Sequence, residues 1–177
     1  MRDMSIIICG VGGQGVLFLT RLLGETAIRM RKKAISAEMR GMSQMLGSVS
    51  SLLRIGNYSS ADFSQADLVL SLEPLEALRY SYMLSDDGLI ITSDNRVMMK
   101  GYPENVFEKL KARKSMIVNT KGLSGKIDKK ARDNVVLFGV FCKKFEVPKN
   151  VAERVLDGFK EREKNISAFR AGFGYEI

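Results

Sequence analysis

Apolar residues in this chain fall into short dense runs, separated by stretches in which they recur three or four positions apart. Ile6, Ile7 and Ile8 form an uninterrupted β-branched run, the pattern of a strand buried on both faces of a parallel sheet. From Val16 the period changes. Val16, Leu19, Leu22, Leu23, Thr26, Ala27 and Met30 share one helical face and predict an amphipathic helix. Between the two elements Gly10, Gly12 and Gly15 fit G-x-G-x-x-G, with Gly13 as a fourth glycine and Gln14 inside the turn. Glycines permit a tight turn and close backbone approach, and unpaired N–H groups at the helix start attract anions. The plainer alternative is a turn that only packs helix against sheet.

The alternation continues downstream. Lys33 to Ala37 reads as a second strand ended by Glu38, an acidic residue about 20 positions beyond the glycines, where a dinucleotide fold places its ribose ligand. Residues 39–47 fit neither period. Their two glycines, Ser43 and Gln44 mark an ordered connection, and Met39, Met42 and Met45 are either core filler or an adaptable contact surface. Ser48 to Ile55 has strand composition, and Gly56-Asn57 is a turn. A strand over Asp67 to Leu72 leads to Pro74, which opens a helix with Glu73 or Glu76 at its positive end and Leu75, Leu78 and Tyr82 on one face. Asp86-Asp87-Gly88 predicts a turn into the strand Leu89 to Thr92. A charged helix from Pro103 to Lys114 and a strand over Ser115 to Asn119 follow.

Val135 to Cys142 is apolar all round, so that helix is covered on every side, by this chain or by another. Further helices are predicted from Pro148 to Phe159 and from Glu161 to Gly172. Strands alternating with helices predict an α/β fold: one Rossmann-like, doubly wound, mostly parallel sheet with a helical C-terminal region, as a single domain over residues 1–177.

Composition narrows the chemistry. The 177 residues are 45% hydrophobic and 27% charged, and no apolar run approaches the roughly 20 residues a membrane span needs. The N-terminus lacks a signal-peptide layout, which predicts a cytoplasmic protein with no membrane partner. Histidine is absent and only Cys9 and Cys142 are present. Ser-His-Asp and Cys-His catalysis are thereby excluded, along with most zinc sites and a four-thiolate cluster. Lys and Arg number 28 against 20 Asp and Glu, a net charge of +8 that favours an acidic partner. The basic residues are scattered. Arg29, Arg31, Lys32 and Lys33 sit where a helix C-terminus welcomes cations, and no nucleic-acid-binding motif accompanies them.

Taken together, Gly10-Val11-Gly12-Gly13-Gln14-Gly15, Glu38 with Gly41-Met42-Ser43-Gln44, Gly47-Ser48-Val49 and Arg54-Ile55-Gly56 resemble the small subunit of the indolepyruvate ferredoxin oxidoreductases. This is the gamma-type domain of the 2-oxoacid:ferredoxin oxidoreductase family. Glu73 to Arg79, Asn119-Thr120, Asn134 to Gly139 and Ala168-Phe169-Arg170 extend the likeness along the chain. The resemblance implies a thiamine-diphosphate-dependent complex that oxidatively decarboxylates a 2-oxoacid such as an arylpyruvate. Electrons pass through iron–sulfur clusters to ferredoxin, and the acyl group passes to coenzyme A.

With two cysteines and no thiamine-binding Gly-Asp-Gly, this chain would be the accessory subunit, inactive alone, beside a large thiamine- and cluster-bearing partner. In that reading Gly10, Gly12, Gly13, Gln14 and Gly15 form an anion-receptive turn, with coenzyme A contact at Gly12 to Gly15 as one option. Ser43, Gln44, Gly47 and Ser48 line an adjoining partner-facing loop, and no residue is catalytic or a metal ligand. The methionine segment and the Val135–Cys142 helix are candidate contact surfaces. Arg40 and Met45-Leu46 depart from the indolepyruvate-type pattern, which leaves the choice of 2-oxoacid open. The glycine fingerprint and Glu38 keep two alternatives in play: a stand-alone NAD(P)-dependent oxidoreductase, without histidine or Tyr-x-x-x-Lys, and a nucleotide-sensing domain.

Overall fold

The structure, a computed structural model, describes residues 1–40, 47–98, 101–125 and 132–176. The isoleucine run lies in β1 (Met4–Val11), which is buried along its whole length at the centre of a six-stranded sheet. The other strands are β2 (Ala34–Arg40), β3 (Ser48–Ile55), β4 (Ala66–Ser71), β5 (Leu84–Ser93) and β6 (Ser115–Val118), in the order β2-β3-β1-β4-β5-β6. β1, β4, β5 and β6 pair in parallel, whereas β3 is antiparallel to both β1 and β2. The sheet is therefore mostly parallel but mixed, because the connection after β2 turns straight back to insert β3 beside β1.

Side-chain alternation along β1 divides the core into two layers. Ile6 and Ile8 face α1 (Val16–Arg29), α5 (Asp133–Lys144), α6 (Lys149–Leu156) and α7 (Arg162–Phe173), and the short α4 (Thr120–Ser124) contributes Leu123 to that layer. Ile7 and Cys9 face α2 (Pro74–Tyr80) and α3 (Val106–Lys111) on the opposite side. Both faces of β1 are thus covered, which is why its sequence shows no polar alternation. Pro74 begins α2 as expected, with Glu73 as its N-cap accepting the Glu76 amide at 3.0 Å.

Three expectations are corrected. Asp86-Asp87-Gly88 lies inside β5 rather than in a turn before it, at an irregular stretch of the pairing with β4 between Ala66 and Leu68. The charged helix after Pro103 is shorter than its composition predicts, spanning only Val106–Lys111. The apolar helix is covered by this chain's own α1, α4 and α7, and every residue from Val135 to Cys142 is buried, so that helix is no partner surface. Among the described residues no helix is long and apolar enough to cross a membrane.

The α5–α7 contact is made backbone to backbone. A Cβ at Gly172 would collide with the Val136 carbonyl, and one at Gly139 with the Phe169 carbonyl. Phe138 and Phe169 complete the contact with ring centroids 5.6 Å apart. Gly172→Ala is therefore expected to force the two helices apart and cost about 1–3 kcal/mol or more. The check is the denaturant midpoint; an unchanged midpoint would mean the helices separate without loss.

Candidate functional site

In doubly wound sheets ligands bind beyond the carboxyl ends of the strands, where neighbouring connections leave in opposite directions. Here that switch point lies between β1 and β4. The chain leaves β1 through α1 toward the β2 edge and leaves β4 through α2 toward β5, on the other face. One lip of the crevice is Gly10 to Gly15 and the other is Leu72-Glu73.

Gln14 spans it. Its Oε1 accepts the Val11 amide at 2.7 Å, and its Nε2 donates to the Leu72 carbonyl at 3.1 Å. The Leu72 amide in turn donates to the Cys9 carbonyl at 2.8 Å. Gly10 has no room for a side chain, since a Cβ there would lie 2.8 Å from Gln14 Oε1 and 3.1 Å from Leu72 Cβ. Gln14 therefore holds the turn to β4 and fills the slot between the lips.

The other glycines divide the remaining work. Gly15, at φ +87°, is the uncapped start of α1, and Asn134 from α5 packs where its Cβ would be. Gly13, at φ +91°, faces open space. Among the described residues the first turn of α1 has no side-chain cap and no acidic residue to offset its amides and dipole. The Gly12 amide donates to the Gly47 carbonyl at 3.0 Å, tying the turn to the residue before β3. Of the expected site residues, the structure thus brings Gly10, Gly12, Gly13, Gln14, Gly15, Gly47 and Ser48 together at one edge of the sheet. Ser43 and Gln44, like Met42 and Met45, lie outside the described residues.

Glu38 lies elsewhere. It pairs with Ser51 in the β2–β3 ladder, and β3 separates β2 from β1. The strand beside the glycine turn is therefore not the one that carries Glu38, and the ribose position of a dinucleotide fold is not reproduced.

Behind the turn, on the α2 face, is a buried polar junction that sequence reasoning missed. Ser48 Oγ donates to Glu76 Oε2 at 2.5 Å, and Arg79 Nη1 to Glu76 Oε1 at 2.6 Å. Tyr102 OH donates to Glu73 Oε1 at 2.7 Å, and Tyr80 OH to Ser50 Oγ at 2.8 Å. Glu73 and Glu76 are each 1% exposed. The sequence signal was the helix cap Glu73-Pro74-Leu75-Glu76; the partners Ser48 and Tyr102, far away in the chain, carried none. Burial, together with the Glu73 hydrogen bond and charge, holds the Tyr102 phenol above its ordinary value.

The two cysteines do not fit a cluster. Cys9 lies in the α2-side core and Cys142 in the α5-side core, both fully buried and unpaired with each other. Burial holds both thiols well above their ordinary range, at Cys9 against the lowering effect of the Ser71 hydrogen bond. Among the described residues no group of three or more His, Cys, Asp and Glu side chains is placed to hold a metal.

Known proteins resemble this chain in sequence and fold. The family described as pyruvate ferredoxin/flavodoxin oxidoreductase matches residues 5–175. The chain belongs to that family. The indolepyruvate oxidoreductase subunit IorB of Thermococcus kodakarensis is 44% identical over 96 residues, 52% of this chain and 48% of that protein. The matched stretch thus spans about half the length of that curated relative. The subunit of the same name from Archaeoglobus fulgidus is 29% identical over 192 residues, covering 98% of this chain and 96% of that one. In fold the chain matches the 2-oxoglutarate:ferredoxin oxidoreductase of Magnetococcus marinus, solved with 2-oxoglutarate, coenzyme A and succinyl-CoA bound. The TM-score is 0.74 at 14% identity, over 98% of this chain and 31% of that one.

Gln14→Ala removes the bond to each lip at once, leaving the Val11 amide and the Leu72 carbonyl without those partners. A loss of about 1–3 kcal/mol in unfolding free energy is expected, measured by urea titration. Cys9, Cys142 and Tyr102 keep their protons above ordinary values of 9.0, 9.0 and 10.0. A group whose pKa is raised by folding stabilises fully below its unfolded value and loses that contribution as pH rises. The urea midpoint is accordingly expected to fall as pH climbs past about 9, while a thiol reagent leaves both cysteines unmodified in the folded chain.

Proposed function

We propose that this chain is the accessory subunit of a 2-oxoacid:ferredoxin oxidoreductase acting on indolepyruvate or a related arylpyruvate. The observation that carries the reading is the family match over residues 5–175, joined by the near full-length likeness to the Archaeoglobus subunit. A large partner subunit holds thiamine diphosphate and iron–sulfur clusters. This division is supported by the Magnetococcus chain, of which the matching region is only 31%, and by two cysteines too deeply buried to ligate. On that partner, the bound cofactors supply decarboxylation and electron transfer to ferredoxin. The acyl group passes to coenzyme A, and the complex works in the cytoplasm.

This chain's own part is binding and positioning. The uncapped first turn of α1 and the open Gly13 face offer amides and a positive dipole end to the phosphates of coenzyme A. Gln14 orients that turn from behind, and the Gly47 carbonyl ties it to the start of β3, where Ser48 is held by Glu76. The net charge of +8 favours both an acidic ferredoxin and a polyphosphate.

Reconstitution with a large thiamine- and cluster-bearing subunit under anaerobic conditions, followed by arylpyruvate- and coenzyme A-dependent ferredoxin reduction, tests the assignment. Activity is expected only with both chains. Gly13→Asp, which sets a carboxylate at the mouth of the turn, is expected to raise the KM for coenzyme A about tenfold and leave that for the 2-oxoacid unchanged. No turnover with any 2-oxoacid, or binding of NAD(H) by the lone chain, would overturn the reading.

A further inference from the structure

A cleft of about 440 Å³ opens beside the glycine turn, between the first turns of α1, α5 and α7, within the range of small-molecule sites. Its walls combine two chemistries. Phe18 and Phe159 meet edge to face, 5.0 Å between centroids, and form the apolar side. Arg132 and Lys160 form the cationic side.

Arg132 is held in place rather than free to swing. Its Nη1 donates to Asn165 Oδ1 at 2.7 Å, and Asn165 is itself buried and anchored through its Nδ2 to the Lys160 carbonyl at 2.9 Å. On its outer side Arg132 Nη2 pairs with Glu161 Oε2 at 3.0 Å. The Glu161 side chain is 57% exposed while that of Arg132 is 13% exposed, so a surface carboxylate, paired on its other oxygen with Lys164 Nζ at 3.4 Å, rests on a recessed guanidinium. Arg132 and its lysine neighbour keep the Glu161 carboxyl below its usual range, so the carboxylate is ionised at neutral pH.

We propose that this cleft binds a phosphorylated ligand of nucleotide size, whose phosphate takes the position the Glu161 carboxylate now holds on Arg132. The Nη2 group that now meets a carboxylate oxygen receives a phosphate oxygen as readily, and a phosphate brings more charge. Lys160, exposed at the rim, adds a second cation. Phe18 and Phe159 give a planar base an apolar wall, which a bare phosphate would not use. Glu161 is then an internal competitor, so the two charged residues at the rim act in opposite directions. The proposal depends on no 2-oxoacid, coenzyme or partner subunit.

Isothermal titration of the full chain with adenosine 5′-diphosphate, pyrophosphate and adenosine tests it. The diphosphate is expected to bind, with pyrophosphate at least tenfold weaker and adenosine weaker still. Lys160→Glu is expected to weaken the diphosphate about tenfold, and Glu161→Gln to tighten it a few-fold. Both side chains are exposed, so thermal unfolding of the two variants is expected to match the parent. Absence of binding would overturn the proposal, as would an affinity indifferent to both rim substitutions but lost in Gly13→Asp. Pyrophosphate binding as tightly as the diphosphate would overturn the nucleotide assignment. Failure here leaves the ferredoxin oxidoreductase reading standing, because that assay turns on the partner subunit.

Discussion

The carboxyl edge of this sheet depends on one side-chain amide. Gln14 accepts from the turn it belongs to and donates across to the end of the neighbouring parallel strand. A glycine turn at positive φ has many conformations open to it in the unfolded chain and few contacts to select among them. The carboxamide supplies both missing constraints at once. It fixes the turn on itself and fixes the distance between β1 and β4 beyond their last ladder bonds. Gly10 is the complement of that arrangement, since any side chain there would occupy the same space. A motif that reads as a row of ligand-binding glycines is thus partly a lock for its own backbone, with Gly13 as the position left facing outward.

The lock is braced from both faces. On the α5 side, Asn134 packs against Gly15 and Asp133 Oδ2 accepts from Asn95 beyond β5, so the start of α5 is wedged between two loop ends. On the α2 side, Glu73 and Glu76 gather Ser48, Arg79 and Tyr102 into one junction. Carboxyl groups buried to that degree are costly unless every lone pair finds a donor, and breaking such a set leaves the remainder unpaired. The junction therefore couples three chain segments distant in sequence: the entry to β3, the start of α2 and the residues before α3. The start of β3 at Ser48 is thus held from behind, through Glu76, to the first turn of α2.

Sequence revealed the elements whose signal is local. The isoleucine run, the helical spacing after Val16, the Pro74 start and the all-apolar span of Val135 to Cys142 each depend on neighbours in the chain, and each forms the expected element. What was hidden depended on pairing. Nothing in residues 48–55 says that β3 runs antiparallel and inserts itself next to β1, because strand composition is silent about direction. That insertion moved Glu38 to an outer strand and dissolved its apparent partnership with the glycines. The apolar helix was legible as buried, but not by what. Its cover is α7, whose Gly172 permits a contact that no hydrophobic pattern announces. Asp86-Asp87-Gly88 misled for the same reason: turn chemistry was read locally where an irregular strand pairing decided the outcome.

The inserted strand also bears on which ligands this edge can take. A dinucleotide needs two things from such a sheet: amides at the helix start for its pyrophosphate, and an acidic residue at the tip of the adjacent strand for its ribose. The first survives here in the uncapped start of α1. The second is replaced by β3, which runs the opposite way and presents its beginning, Gly47 and Ser48, where a parallel strand would present its end. Ser48 is committed to Glu76 and the Gly47 carbonyl to Gly12, so neither is left to read a sugar. The edge keeps an uncapped helix start while losing the feature that would specify a nicotinamide dinucleotide. The coenzyme A contact proposed above accordingly asks of this edge only backbone amides and the helix dipole, and not a carboxylate for a ribose.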